Sequence, residues 1–274
     1  METILVATDF TDASHNAFVY GLGMARAFGA KLILFHACQL PAVVNVEPVI
    51  TLPETASDVI VQDRLRQHLL AVDTTGISVE LLQTTGPVSS SIIETATAHR
   101  AGVIICGIQE GGRLLRRLFG STVTDLATHT PIPLIAVPTS AHYQPPHTIA
   151  LASDIVPEDG EHTLDMLSEI GLRFHSKVYI VRVLSDRFDE VYELKHHPTH
   201  LHRLPRALET QYAYTQHKDV SDALSFLVQT MPVQLLAIVP HQHSMLEKLF
   251  FGSTTKAIIG KTTVPLLVLP DQKG

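Results

Sequence analysis

The sequence has little cysteine and no cysteine motif. Its 274 residues include only Cys38 and Cys106, and both lie inside apolar runs without CxxC or other zinc-type spacing. This pattern predicts two buried, reduced strand residues rather than a metal centre.

Charged residues are also few, and acidic residues outnumber basic ones. Lysine and arginine number 20 against 27 acidic residues, which gives a formal net charge of −7. Nucleic-acid binding is therefore not expected, because a polyanion partner requires a basic surface. No apolar run approaches the roughly 18 residues of a membrane span, and the N-terminus passes directly into a strand pattern. We expect a cytosolic protein with no membrane partner.

Common catalytic motifs are missing as well. The sequence has no GxSxG, no HExxH and no Walker A motif, and the segment after the first strand, ATDFTDAS, contains no glycine. We therefore predict that the protein is not an enzyme, although slow hydrolysis of a bound triphosphate is left open.

Histidine, in contrast, is abundant. The sixteen histidines include His241 with His243 and a group of four between residues 196 and 202. His196 and His200 have helical spacing, but Pro198 between them argues against a regular helix. Solvated or structural histidines are favoured over a metal site, and a metal- or pH-responsive module is kept as an alternative.

An internal repeat organises the chain. The segment LFGST, which ends at Thr122, recurs as FFGST, which ends at Thr254, at an offset of 132 residues. At the same offset, Pro133 and Pro265 each open an apolar strand. We therefore predict two tandem domains, residues 1–139 and 146–274, joined through the proline-containing linker Pro138 to His147, whose composition suits an exposed segment.

Apolar strands alternate with helical periods in both halves, a pattern typical of parallel strands covered by helices on both faces. The predicted fold class is α/β, with two tandem Rossmann-like domains that each contain a five-stranded parallel sheet. The predicted strands are Thr3–Thr8, Lys31–Ala37, Ile77–Thr84, Val103–Gly107 and Leu134–Val137, followed by Thr148–Ser153, Lys177–Val183, Leu208–Tyr214, Leu235–Val239 and Leu266–Leu269.

Helices are predicted between these strands. The first has Asp12 or Thr11 as its N-cap and Gly29 as its stop, and two others cover Ser57–Ala71 and Val88–His99. In the second half, the segment Leu194–Arg206 is rich in histidine and proline, which predicts a loop in place of a second helix.

One loop is suited to a ligand. In open parallel sheets, ligands bind beyond the carboxyl ends of the strands where the strand order reverses. Asp9, Ala37 and Gly107 end strands at that edge, and the loop from Gly107 leads into a helix predicted to start at Ser121 or Thr122. Free N–H groups at such a start can receive phosphates.

The segments TDF at Thr8 to Phe10, ICG, LIAVP and GST resemble the universal stress protein family, and the resemblance runs twice along nearly the whole chain. It implies a stress-response protein that binds ATP, with Mg²⁺, as a regulatory ligand. It further implies that the two halves pair through their last strands as a pseudo-dimer, and that such chains can form a homodimer.

The resemblance also implies the site residues. Asp9 would meet the adenine or ribose, the backbone of Ala37 would meet the base, and the glycine-rich loop would hold the phosphates. The full set implied for the first half is Ala7, Thr8, Asp9, Ala37, Gly107, Gly111, Gly120, Ser121 and Thr122.

The chain departs from the family's nucleotide loop at two places. Glu110 occupies the position of the middle glycine, with Gly111 directly after it, so that either binding is weakened or the loop shifts by one residue. In the second half, Val239 and Gln242 replace both upstream glycines, and Pro240 removes a backbone donor. The second half is predicted to be a degenerate partner, and a nucleotide-independent interaction scaffold is the alternative for the whole chain.

Overall fold

The computed structural model describes residues 1–38, 54–109, 121–152, 162–184, 204–240 and 248–270. Within these ranges lie ten strands and seven helices. The strands are β1 Thr3–Ala7, β2 Lys31–Cys38, β3 Val79–Thr85, β4 Val103–Ile108, β5 Leu134–Pro138, β6 Thr148–Ala152, β7 Lys177–Leu184, β8 Glu209–Gln216, β9 Leu235–Ile238 and β10 Leu266–Val268. The helices are α1 Asp12–Phe28, α2 Glu54–Leu70, α3 Val88–Ala98, α4 Ser121–His129, α5 Asp165–Phe174, α6 Val220–Thr230 and α7 Lys248–Lys261.

The ten strands form one sheet in the order β3-β2-β1-β4-β5-β10-β9-β6-β7-β8. Neighbouring strands are parallel within each half. At the centre, β5 and β10 pair antiparallel, with Leu267 opposite Ile135. The predicted pairing of the two last strands is thus confirmed, and it gives the edges at β5 and β10 a partner, while β3 and β8 form the outer edges of the described sheet.

The predicted strands are all present within two residues of their expected bounds, and the α/β fold class is confirmed. Helix α2 begins at Glu54 rather than at Ser57. Most of the predicted loop Leu194–Arg206 lies outside the described residues.

Apolar residues alternate between the two faces of the sheet and build one core layer on each. Ile4 and Val6 of β1 belong to one layer, whereas Leu5 belongs to the other. Both layers continue across the central seam: Ile135 and Leu267 lie in the first, and their neighbours in β5 and β10 lie in the second. The two halves therefore share their core.

Local structure repeats as the sequence does. Thr130 both donates to the carbonyl of Ile132 and accepts from its N–H, and Thr262 makes the same two contacts with Val264, 132 residues later. This turn ends α4 and α7 before the last strand of each half.

The linker is less exposed than predicted. The side-chain amide of Asn16 in α1 donates to the carbonyls of Pro138 at 2.8 Å and Ala141 at 2.9 Å. Tyr143 packs edge-on against Tyr20 of α1, with ring centres 5.3 Å apart. These contacts hold the linker on α1, a docking that its proline-rich composition did not reveal.

Cys106 is buried in β4 as predicted, whereas Cys38, the last residue of β2, is only partly buried. Both thiols are free. Among the helices that the structure describes, none is long and apolar enough to cross a membrane.

Candidate functional site

The candidate site is the crevice in the first half where the strand order reverses between β1 and β4. Ala7 ends β1 and lies opposite Phe35 of β2 and Cys106 of β4. Asp9 follows two residues after Ala7, and Ala37 follows two residues after Phe35. The register therefore places Asp9 and Ala37 at the same level of the carboxyl edge, the edge at which open α/β sheets bind ligands.

Asp9 is exposed at this edge, and its carboxylate is oriented by the start of α1. The Oδ1 atom accepts the backbone N–H of Thr11 at 3.0 Å and the Thr11 hydroxyl at 2.6 Å. Partial burial on its own would raise the pKa of Asp9, but the hydrogen bonds from Thr11 and Ser14 outweigh it and hold the pKa below its ordinary value. Asp9 is therefore a fixed negative charge at neutral pH.

The first turn of α1 is capped within the same loop. Thr11 is the N-cap, as predicted for Thr11 or Asp12, and its side-chain oxygen accepts the N–H of Ser14. Thr8 is buried, and its hydroxyl lies 3.0 Å from the Ser14 hydroxyl and accepts the N–H of Phe10 at 3.1 Å. The side chain of Thr8 thus stabilises the loop from within and is turned away from solvent.

Phe10 has an unusual backbone, with φ at 66°. A bulky residue in the left-handed region is a genuine outlier, and such residues concentrate at functional sites. Its ring lies 4.6 Å from that of His36, whose Nδ1 is 2.7 Å from the Thr8 carbonyl oxygen. The guanidinium of Arg64, in α2, lies 4.1 Å from the centre of the Phe10 ring, a cation–π contact. The sequence predicted no role for Phe10, His36 or Arg64, and Phe10 belonged only to the segment TDF that carries the resemblance.

Gly107, predicted for the phosphate loop, has a structural role. A Cβ atom at Gly107 would lie 2.2 Å from the carbonyl oxygen of Ala13 and 2.7 Å from the backbone N of Ser14. The first turn of α1 packs directly on β4 at this point, and only glycine fits.

The phosphate loop itself lies largely outside the described residues, including Glu110, Gly111 and Gly120. Helix α4 begins at Ser121, as predicted for Ser121 or Thr122.

The second half differs at the corresponding positions. Val239, buried, stands 132 residues after Gly107. A valine side chain there is incompatible with the close helix approach seen in the first half. Helix α5 begins only at Asp165 and has 10 residues, against 17 in α1.

Cys106, opposite Ala7 in β4, is the cysteine of the crevice, and it is buried. Burial raises the pKa of the Cys106 thiol to about 12, and the charge of Asp9 adds to the shift. No group of three or more His, Cys, Asp or Glu side chains that could hold a metal ion occurs among the described residues. His196, His197, His200, His202, His241 and His243 lie outside them.

The fold and crevice define a doubly wound α/β protein of the kind that binds ligands at a strand-order reversal. The family model described as universal stress protein family matches residues 1–138, half of the chain. The chain belongs to the universal stress protein family.

Solved structures share this architecture. A universal stress protein from Archaeoglobus fulgidus aligns over 99% of this chain and 98% of its own, with a TM-score of 0.72 and 14% identity. A functionally unknown protein from Pseudomonas aeruginosa aligns over 99% and 93%, with a TM-score of 0.62 and 16% identity. At these identities the likeness concerns the fold alone, which both structures share over the full length.

A universal stress protein family member from Arabidopsis thaliana, solved with AMP bound, aligns over 50% of this chain and 92% of its own, with 17% identity and a TM-score of 0.36. That likeness is too weak to carry an argument for this chain. No curated protein matches the sequence.

Proposed function

We propose that this universal stress protein binds an adenine nucleotide, ATP with Mg²⁺, as a regulatory ligand in its first half. The observation that carries the proposal is the placement of Asp9: an exposed carboxylate, oriented by Thr11, at the reversal of strand order. Membership of the family supports the assignment, and the protein acts by binding rather than by catalysis.

The proposed roles are those that the family resemblance implies, and the position of the residues at the carboxyl edge supports them. Asp9 accepts a hydrogen bond from the adenine or ribose, and the backbone of Ala37, at the same level of β2, faces the base. Ala7 and Thr8 shape the floor of the crevice. The loop with Gly107, Gly111 and Gly120 leads the phosphates to the N-terminus of α4 at Ser121 and Thr122.

The second half, residues 146–274, serves as a degenerate pseudo-dimer partner of residues 1–139. The antiparallel pairing of β10 with β5 and the shared core support this role. Val239 and Pro240 argue against a second triphosphate site, because one fills the space of a required glycine and the other lacks a backbone N–H. A cytosolic location and a homodimer of such chains stay predictions from the sequence.

A nucleotide-independent interaction scaffold is the second candidate. Glu110 favours it, since a carboxylate in the phosphate loop repels the ligand unless Arg113, Arg116 or Arg117 offsets the charge.

Thermal unfolding of the nucleotide-free protein in rising Mg-ATP, with GTP as control, tests the proposal. A ligand at one hundred times its dissociation constant stabilises the native state by about 2.7 kcal/mol. We expect a saturable shift for ATP that Asp9→Asn abolishes. The amide oxygen of asparagine can still accept from Thr11, so the loop keeps its shape. The other carboxylate oxygen is replaced by an amide nitrogen, which donates a hydrogen bond and cannot accept one.

The matched control is Asp154→Asn, the sequence counterpart in the second half, which should keep the full shift. Absence of any shift up to millimolar ATP would contradict nucleotide binding and favour the scaffold. A shift lost in Asp154→Asn and kept in Asp9→Asn would contradict the placement of the site.

A further inference from the structure

Two histidines from different helices meet beside the crevice. The ring of His68 in α2 lies 4.9 Å from that of His15 in α1, at an interplanar angle of 77°. The His68 ring also lies 5.7 Å from Phe18 and 6.0 Å from Phe10. His68 is therefore a packing residue through which α2 contacts α1 and the loop after β1.

The surroundings of His68 suit an uncharged imidazole. Its Nε2 atom is buried and has no hydrogen-bond partner among the described residues. Phe18, which it contacts, is fully buried. Protonation of both ring nitrogens would make the ring positive and leave its Nε2–H without an acceptor among the described residues, beside the buried Phe18, which is costly.

The charged and titratable groups around His68 come from each neighbouring element. His15 faces His68 from α1, Arg64 from the preceding turn of α2 and Asp9 from the loop after β1. His36 of β2 contacts the ring of Phe10, which also packs against His68. Burial lowers the pKa of His68, the charges of His15 and Arg64 lower it further, and Asp9 alone opposes them.

We propose that protonation of His68 in mild acid releases α2 from α1 and thereby opens the side of the crevice that Phe10 lines. The link to the crevice is direct, because Arg64 and His68, one helical turn apart on α2, both contact the Phe10 ring. Phe10 in turn follows Asp9 and holds a strained backbone that depends on its packing. This release of α2 does not depend on whether a nucleotide is bound.

The sign of the pH dependence follows from the direction of the shift. The folded protein binds the His68 proton more weakly than the unfolded chain, whose histidine titrates near 6.5. Between the two pKa values the unfolded state carries more protons, so the free energy of unfolding rises with pH in that window. The contribution is complete above pH 6.5 and is lost as the pH falls below it.

Hydrogen exchange of the full chain without nucleotide, at pH 5.5 and 7.5 and corrected for intrinsic rates, tests the proposal. We expect amides of α2 to exchange faster at pH 5.5, by at most about tenfold, because an unperturbed histidine that titrates near 6.5 has about ten protonated molecules for each neutral one at that pH. The variant His68→Phe keeps a ring in the contact and should remove the difference. The control His129→Phe, at an exposed histidine of α4, should leave it unchanged.

Equal protection of α2 at both pH values in the unmodified protein would overturn the proposal, as would a pH response that persists in His68→Phe. Should that variant fail to fold, NMR titration of the unmodified protein decides. The His68 imidazole signal, assigned through its contacts with Phe18, must titrate below 6.5; a pKa at or above that value overturns the proposal.

Discussion

Gly107 of β4 lies against the backbone of Ala13, so close that a methyl group on Gly107 would come within 2.2 Å of the Ala13 carbonyl oxygen. Ala13 is in the first turn of α1, directly after the Asp9 loop. The contact therefore fixes how the N-terminus of α1 is seated beside the crevice. Gly107 matches the first glycine of the family's nucleotide motif, but the packing of α1 on β4 requires a glycine here whether or not a ligand binds.

Replacing this glycine should destabilise the fold. We expect Gly107→Ala to lower the free energy of unfolding by about 1–3 kcal/mol, because the added methyl group meets backbone that cannot rotate away. Gly102→Ala, just before the same strand, is the matched control, since its Cβ would meet only side-chain atoms of two flexible methionines, Met1 at 3.3 Å and Met166 at 3.7 Å. Chemical denaturation measures both. Equal stability of the two variants would show that α1 moves aside at little cost.

The residues that end α1 and α5 can be exchanged for one another as a test of backbone strain. Gly29 ends α1 with φ at 65°, and His175 ends α5 with φ at 51°. Only glycine adopts this conformation without strain. We expect His175→Gly to raise the free energy of unfolding by about 0.5–1 kcal/mol and Gly29→His to lower it by about 1 kcal/mol or more. A destabilised His175→Gly in denaturant titrations would mean that the imidazole makes a compensating contact.

A buried hydroxyl provides another test. Tyr20 is 1% exposed, and its Oη has no hydrogen-bond partner among the described residues. Burial raises the pKa of Tyr20, so the hydroxyl stays protonated and uncharged. We expect Tyr20→Phe to stabilise the protein by about 1 kcal/mol, because an unsatisfied polar group leaves the core. Tyr143→Phe, half-buried in the same ring pair, should change little, and calorimetry compares the two. A lower stability of Tyr20→Phe would contradict the conclusion that the Tyr20 hydroxyl has no hydrogen-bond partner.

Thiol reactivity should separate the two cysteines. With the pKa of Cys106 raised to about 12, its thiolate fraction at pH 8 is about a thousandfold below that of a thiol with the ordinary value of 9.0. Alkylation of Cys106 in the native protein should therefore follow global unfolding. Partly exposed Cys38, whose pKa is raised by burial and by Asp58, should react first. Mass spectrometry of protein labelled over time distinguishes the sites, and native Cys106 labelled as fast as Cys38 would refute the burial argument.

The strands were predictable because buried parallel strands are continuous apolar runs, as in ILVA of β1 and VIIC of β4. The helix ends were predictable where one residue decides them, as at Thr11 and Gly29. The second half's departure from the first was also visible, since Val239 and Pro240 stand where the first half has Gly107 and Ile108.

Other features depend on pairs of residues far apart in the chain. The contact of His68 with His15 spans two helices, and the fit of Gly107 against Ala13 spans a strand and a helix. Nothing in the local pattern around His68 distinguishes it from the other fifteen histidines. Its environment exists only after α1 and α2 pack on the same face of the sheet.

The sequence by itself determined the alternation of strands and helices, the internal repeat and the position of Asp9 at a strand end, because these follow from local periodicity and turn chemistry. Only the tertiary structure decided the orientation of the Asp9 carboxylate, the packing role of Gly107, the docked linker and the neutral environment of His68. Each of these depends on which distant backbone or ring comes within a few ångströms, and that distance is set by the packing of whole elements.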